Sequence, residues 1–396
     1  MSGFWKYSQI DELINQFFTV TSKQYRPMSE SGSPLQSEMI PVYEILKRSD
    51  VGGNIKQVNQ TLKNMGYMSL IRSHPIHESR GMLYIFPIPE KMIVSKQNLS
   101  TPLVLFVLTI ISVFIVGVTM WDDLRIAEPS LDPITVGLYY VISLMGIVGI
   151  HEIGHMIASR FHGIKASWPY FIPMPIGLGT MGAFISQKTP IRSRNDLFDV
   201  GLAGPIFGFI IATIFSIIGL MNSIVIPAAE VTQEFSNPLG LFDLRLNNPD
   251  RTRILLFEIL AFFFVPQQGS DVVIFLHPFA FAGFIGFFLT SLNLIPIGQS
   301  DGGHVARSIF SEKNHRMVTY ISAGVLVGLG FWIFAILLLF MYSQTGHSGP
   351  LDDLTELSLS RKIVTGSILV LILLCLPLSP DSLFAELLSD ISSIFG

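Results

Sequence analysis

Long apolar stretches without charge alternate with short polar segments over the last three quarters of this chain. Six of them are close to or longer than the roughly 20 residues that a helix needs to cross the hydrocarbon core of a bilayer. They are residues 102–121, 133–150, 200–221, 272–295, 317–342 and 363–378. Residues 255–265 are also apolar, but they include Glu258 and are too short to cross. We therefore predict about six membrane-spanning helices and an interfacial or re-entrant piece at 255–265.

The basic residues in the short loops predict how these spans are oriented, because cytoplasmic loops are enriched in Lys and Arg. Lys and Arg are concentrated before the first span, between the second and third, and between the fourth and fifth. The loops on the other side are richer in acidic residues, apart from three arginines in the longer loop before residue 255. The pattern predicts that both termini lie in the cytoplasm.

Two other parts of the chain have different patterns. Residues 55–65 have helical spacing of apolar side chains, and residues 82–86 are typical of a strand. We predict a small soluble α+β domain over residues 1–95 and a membrane-embedded domain over 96–396. Residues 168–186 are apolar but contain prolines and glycines that break a helix. Such backbone at membrane depth must be buried in protein or face a watery cavity, so we predict extended strands or a re-entrant β-hairpin there.

Composition narrows the class of protein further. Only 14% of residues are charged and 49% are hydrophobic, whereas about 25% are charged in an ordinary soluble protein. This excludes a disordered chain and a coiled coil, and the net charge of −4 argues against a nucleic-acid partner. The single cysteine, Cys375, excludes an internal disulfide and a cysteine-based zinc cluster. The fold class is therefore a polytopic α-helical membrane protein.

The most informative motif is His151-Glu152-Ile153-Gly154-His155 at the end of the second span. If the helix continues, the two histidines are four residues apart, share a face and can bind one zinc ion. Glu152 lies beside them and could take a proton from water at the metal. Ionisable groups at membrane depth are costly and usually functional, which favours the metal site over an ordinary polar helix end.

A third ligand is needed at the same depth and on the same side, and Asp301 meets both conditions. It follows the fourth span, where Pro296 and Gly298 break the helix and allow the chain to fold back. Both spans run toward the cytoplasm in the predicted topology. His277 begins the fourth span and should lie near the opposite face, while His304 is expected to support the site or cap a helix. The sequence predicts one zinc ion bound by His151, His155 and Asp301.

These residues resemble the site-2 protease family of intramembrane zinc metalloproteases. The resemblance covers residues 134–309 and rests on the His-Glu-Ile-Gly-His motif, the glycine-rich segment 201–208 and the segment 293–303. The long spacing from Asn293 to Asp301 is similar to that of the archaeal, cyanobacterial and chloroplast subgroup, including the EGY-type plant proteins. Gly201, Gly204 and Gly208 recur at spacings of three and four, which predicts close packing of the third span on the second.

The resemblance implies an activity and a role for each matching residue. Zinc would be bound by His151, His155 and Asp301, Glu152 would be the general base, and Asn293 would hold the substrate or its oxyanion. A hydrogen bond between helices is the alternative role of Asn293. Substrates would be transmembrane proteins, and the location would be a prokaryotic cell membrane. One alternative remains: a catalytically inactive homologue, or a metal-binding transporter or scaffold. A membrane zinc protease with a glutamate as third ligand has no candidate residue, because Glu258 is predicted on the far side of the membrane. A transporter needs the ligands but no base beside them, so Glu152 favours the enzyme. The residues do not predict the oligomeric state.

Overall fold

The structure is a computed structural model, and it divides into two compact units. It describes residues 2–27, 39–47, 51–77, 79–88, 99–230, 245–246, 251–266, 271–345, 347, 349–379 and 382. The predicted basic positions just before the first span, Lys91 and Lys96, lie outside the described residues.

The first unit is built around a four-stranded antiparallel sheet in the order β1-β2-β4-β3. Its elements in chain order are α1 (Ser2–Phe17), β1 (Val20–Pro27), β2 (Met39–Leu46), α2 (Val51–Asn64), β3 (Tyr67–Ser73) and β4 (Arg80–Pro87). Helix α2 buries Val51, Ile55, Val58 and Leu62 in the core of this unit. These elements include the helix and the strand that the pattern of residues 55–65 and 82–86 predicted.

The same unit also takes in residues 188–197 and 348–358, which are distant in sequence. The segment after residue 348 adds to the edge strand β3, where Ile71 donates its N–H to the carbonyl of Leu351 at 2.8 Å. Leu351 in turn donates to the Ile191 carbonyl at 2.8 Å. An ion pair of 3.1 Å between Arg194 and Asp353 joins the two added segments. The unpaired edge of the sheet is thus partly covered by backbone from elsewhere in the chain.

The second unit is mostly helical. Its helices in chain order are α3 (Ser100–Thr119), α4 (Trp121–Ala127), α5 (Pro133–Phe161), α6 (Arg194–Met221, whose first residues belong to the other unit), α7 (Leu255–Phe264), α8 (Pro278–Leu294), α9 (Asp301–Ile309), α10 (Glu312–Gly328), α11 (Trp332–Thr345) and α12 (Leu359–Cys375). The described residues of this unit also form three short antiparallel pairs: β5 (Tyr170–Met174) with β6 (Gly179–Phe184), β7 (Ile224–Pro227) with β9 (Val272–Phe275), and β8 (Arg253–Ile254) with β10 (Pro377–Leu378).

Three helical stretches among the described residues are long and apolar enough to cross a membrane. They are Ser100–Ala127, Pro133–Phe161 and Arg194–Met221. Helix α6 has two different sides. Its glycines lie against neighbouring helices, and large apolar side chains are exposed on another side. The exposed stripe consists of Phe207, Ile210, Ile214, Ile218 and Met221. This surface suits contact with lipid tails. The long apolar helices and this exposed apolar surface identify the chain as a membrane protein.

Three of the predicted spans differ in detail from the structure. Residues 272–275 form β9, paired with β7, and the helix starts only at Pro278, where the His277 side chain caps it. Predicted span 317–342 is divided into α10 and α11 by Gly330, whose φ of +91° is incompatible with a helix. Predicted span 363–378 ends as a helix at Cys375 and continues into β10. Helix α7 has ten residues, about 15 Å, which agrees with a piece too short to cross.

Candidate metal centre

Helix α5 presents the two histidines of the motif on one face. It begins with Asp132, whose carboxylate accepts a hydrogen bond from the Thr135 N–H at 2.9 Å, and it continues through the motif. The imidazole centroids of His151 and His155 are 4.9 Å apart, and their Nε2 atoms are 3.1 Å apart. Both rings and the Glu152 side chain are buried. The predicted i, i+4 arrangement is present.

Asp301 reaches the histidines because the chain turns sharply between α8 and α9. The Ser300 hydroxyl donates to the Ile295 carbonyl at 2.8 Å and accepts from the Gly303 N–H at 3.0 Å, which starts α9 at Asp301. A Cβ on Gly302 would lie 1.9 Å from the Leu294 carbonyl oxygen, so only glycine permits this close approach. The sharp turn brings Asp301 to the end of α8 and toward α5.

The three side chains converge on a single point. Asp301 Oδ2 lies 3.2 Å from His151 Nε2, and Oδ1 lies 3.3 Å from His155 Nε2. Ligand atoms about 2.0–2.2 Å from a tetrahedral zinc ion are about 3.3–3.6 Å from each other, close to the distances found here. Two imidazoles and one carboxylate, with a fourth position left for water or substrate, form a typical catalytic zinc ligand set. The residues therefore fit zinc.

A backbone carbonyl determines which nitrogen of His155 is available to a metal. His155 Nδ1 lies 2.7 Å from the Val200 carbonyl oxygen, which can only accept, so Nδ1 carries the proton. The lone pair is then on Nε2, the atom that faces His151 and Asp301. The neighbouring Asp199 carboxylate accepts from Arg361 Nε at 2.7 Å and from His162 Nε2 at 2.9 Å. The His162 bond holds the start of α6 against the end of α5, and the Arg361 bond holds it against α12.

The glycines of α6 pack directly against the candidate ligands. A Cβ on Gly204 would lie 2.1 Å from His155 Nε2, and one on Gly208 would lie 3.1 Å from His151 Nδ1. A Cβ on Gly201 would lie 2.9 Å from the backbone oxygen of Asp301. The predicted close packing of the third span on the second is confirmed.

A cavity of about 210 Å³ opens onto the three candidate ligands. Glu152 and Asn293, which the sequence singled out, both line it. Two residues of β6, Ala183 and Phe184, also contribute to its wall, so the β5–β6 pair lies beside this cavity. The candidate ligands, the candidate base and an amide are thus gathered around one polar space of a size suited to a few atoms of substrate.

The two other histidines weighed from the sequence, His277 and His304, lie in different places. His277 caps the far end of α8, a 17-residue helix about 25 Å long, and lies outside the site as expected. His304 lines the cavity. The contributions of Val200 and Asp199 were missed by sequence reasoning, since a backbone carbonyl has no side-chain signature. The position of His304, one helical turn after Asp301, is a local signal that could have placed it on the same face.

The sequence profile of Peptidase family M50 matches residues 139–340, about half of the chain and all of the site. The chain belongs to Peptidase family M50. The match to family M50 begins within α5 and ends within α11, and it contains every residue that the sequence singled out for the site. The resemblance to the site-2 proteases is therefore confirmed.

Named relatives lie among chloroplast proteins. The "Probable zinc metalloprotease EGY2, chloroplastic" of Arabidopsis thaliana is 29% identical over 273 residues, covering 65% of this chain and 44% of the relative. The protein of the same name from Oryza sativa subsp. indica is 26% identical over 65% of this chain and 45% of its own length. "Probable zinc metalloprotease EGY1, chloroplastic" of Arabidopsis thaliana is 28% identical over 64% and 44%. The aligned part is thus less than half the length of these relatives. No solved structure gives a significant match.

Proposed function

We propose that this chain is an intramembrane zinc metalloendopeptidase that hydrolyses peptide bonds within or near transmembrane helices of other membrane proteins. The observation that carries the proposal is the convergence of His151, His155 and Asp301 beside Glu152 in one cavity. The chain also has helices that are long and apolar enough to cross a membrane. Membership of Peptidase family M50 and the naming of the relatives as probable zinc metalloproteases support it.

Each residue has a role in this proposal. His151 and His155 would hold zinc through Nε2, and Asp301 would hold it through its carboxylate. Zinc bound there supplies Lewis-acid activation of water and of the scissile carbonyl. Glu152 takes a proton from the attacking water and delivers it to the leaving amine. General acid–base catalysis of these two steps requires one group within reach of both the water and the amine. Asn293 donates from its amide to the carbonyl oxygen as negative charge develops there.

The β5–β6 hairpin is proposed to receive the substrate. A helical peptide bond is shielded by its own hydrogen bonds, so the substrate must unwind before cleavage. Within the described residues β6 is paired only with β5, which leaves its other edge available for an extended peptide. Because Ala183 and Phe184 of β6 line the cavity, a peptide paired with that edge would pass close to the candidate ligands.

The membrane arrangement is also part of the proposal. We infer six spans, a hairpin that re-enters the membrane, a cytoplasmic domain over residues 1–95, and both termini in the cytoplasm of a prokaryotic cell. The distribution of Lys and Arg supports the orientation. Helices α10 and α11 together would form the fifth span, and α8 would end at the depth of the site. The proposed partners are transmembrane substrates and the lipid bilayer, with no nucleic acid.

The competing function is that of an inactive homologue, or of a transporter or scaffold that binds metal without catalysis. Glu152 argues against it, because a buried glutamate beside the ligands is needed by a hydrolase and not by a carrier. Metal analysis of protein purified in detergent should find one zinc per chain and markedly less in His155→Ala. Incubation with a panel of single-span membrane proteins should yield cleavage fragments. Stoichiometric zinc in His155→Ala would refute the assigned ligands, and zinc-loaded protein that cleaves no substrate would favour the competing function.

A further inference from the structure

His304 occupies a position in the cavity that the assigned roles do not explain. It is on α9, one turn after Asp301, and its ring lines the same space as Glu152. Its Nδ1 lies 2.9 Å from Nε2 of His347, a hydrogen bond between residues 43 positions apart. Its Nε2 has no hydrogen-bond partner in the part of the chain that the structure describes. One ring nitrogen is therefore held by another histidine while the other can meet a ligand.

The His347 ring is well placed to orient His304. It packs edge-to-face on His304 with centroids 4.9 Å apart, and on His315, whose side chain is fully buried, with centroids 5.1 Å apart. Burial lowers the pKa of His347 to about 2, so the ring is neutral and carries one proton. A neutral His347 can donate that proton from Nε2 to His304 Nδ1, and the proton of a neutral His304 is then on Nε2.

The charges around the cavity favour this arrangement of protons. Asp301 and Glu152 both contribute carboxylates to its wall. A nitrogen lone pair directed at carboxylate oxygens is repelled, whereas an N–H is attracted, and the effect is strong where water is scarce. The two carboxylates therefore favour the His304 tautomer with its proton on Nε2, and Asp301 would contribute less of this effect with zinc bound to it.

We propose that His304, oriented by His347, donates a hydrogen bond from Nε2 to the carbonyl oxygen of the substrate during hydrolysis. As water adds to the scissile carbonyl, its π electrons move to the oxygen, and donors already in place stabilise the new negative charge. This inference rests on the proposed protease function. It assigns His304 a catalytic role beside Asn293 and His347 a positioning role.

The test compares His304→Ala, His304→Gln, His347→Ala and the His304→Ala/His347→Ala double variant. Loss of one such donor typically lowers kcat by about 100- to 1000-fold, with little change in KM. We expect that loss in His304→Ala with one zinc per chain retained, and partial recovery in His304→Gln, whose amide keeps an N–H. His347→Ala should lose about tenfold, and the double variant should be no worse than His304→Ala, because the two histidines act as a unit.

A second readout does not depend on turnover. A phosphinic peptide imitates the tetrahedral arrangement, so its affinity should fall in His304→Ala by the same factor as kcat/KM. His277→Asn is the matched control, since asparagine can still cap α8 far from the cavity, and it should behave as wild type. Wild-type kcat/KM and phosphinate affinity in His304→Ala would overturn the inference. Loss of zinc from that variant would also overturn it, by showing that His304 supports the metal. A wild-type protein without any cleavage would instead refute the protease function itself.

Discussion

Gly204→Ala is the substitution that tests the geometry of the metal centre most directly. The new Cβ would lie 2.1 Å from His155 Nε2 and 2.4 Å from Cδ2, whereas ordinary contacts begin near 3.4 Å. Either the imidazole or α6 must therefore move by more than 1 Å. The ring cannot rotate away freely, because its Nδ1–H is bonded to the Val200 carbonyl at 2.7 Å. A single methyl group should thus displace a proposed zinc ligand.

The expected losses of zinc binding, cleavage rate and stability follow from how far each of them tolerates a displaced side chain. Ligand distances in a zinc site are kept within about 0.2 Å, so a shift above 1 Å removes His155 from the site. Misplacing reacting groups by about 1 Å costs about 100-fold in rate. Overpacking between well-packed elements costs about 1–3 kcal/mol of stability. Gly204→Ala should fold, lose zinc to a mild chelator and cleave at least about 100-fold more slowly than wild type.

Two further glycines provide graded controls for the same assays of zinc content, thermal unfolding and cleavage. A Cβ on Gly208 would lie 3.1 Å from His151 Nδ1, so Gly208→Ala needs a shift of only a few tenths of an ångström and should be intermediate. Gly324, inside α10, has nothing within 4 Å of an added Cβ, and Gly324→Ala should keep full activity with stability raised by up to about 1 kcal/mol. Stoichiometric zinc and wild-type cleavage in Gly204→Ala would refute the close-packing argument.

Three other predictions concern the base, the topology and the first unit. Glu152→Gln should keep zinc and fold but lose cleavage by about 100- to 10,000-fold, and full proteolysis by this variant would disprove the assigned base. In a Cys375→Ser background, a cysteine replacing Ser193 should react with an impermeant maleimide only from the cytoplasmic side; labelling from outside intact cells would reverse the topology. The hydrogen bond from Arg80 is the main cause that lowers the pKa of Glu44. The stabilisation is present above the ordinary glutamate pKa, about 4.3, and is lost as pH falls through the lower folded-state value. Thermal unfolding measured from about pH 6 to about pH 3 should show this loss, and an unchanged profile in Glu44→Gln would contradict it.

Local patterns in the sequence were sufficient for the central features of the site. The spacing of His151 and His155 follows from 3.6 residues per helical turn, which does not depend on the rest of the fold. The turn before Asp301 is predicted by Pro296 and Gly298, which act on their own backbone. The pairing of Asp301 with the histidines required only the depth and side of each span. The depth and the side of each span follow from hydrophobic composition and from charge, and the sequence displays both.

The tertiary structure decided the features in which distant backbone takes part. The proton of His155 is placed by the carbonyl of Val200, 45 residues away, and every residue type carries such a carbonyl. Residues 272–275 are a strand because β7 offers them an antiparallel partner, although their apolar run alone is compatible with a helix. The segment after residue 348 joins the edge of the first sheet through backbone hydrogen bonds to Ile71. Backbone donors and acceptors are the same at almost every position, so sequence cannot reveal their distant partners, and only the folded chain brings them together.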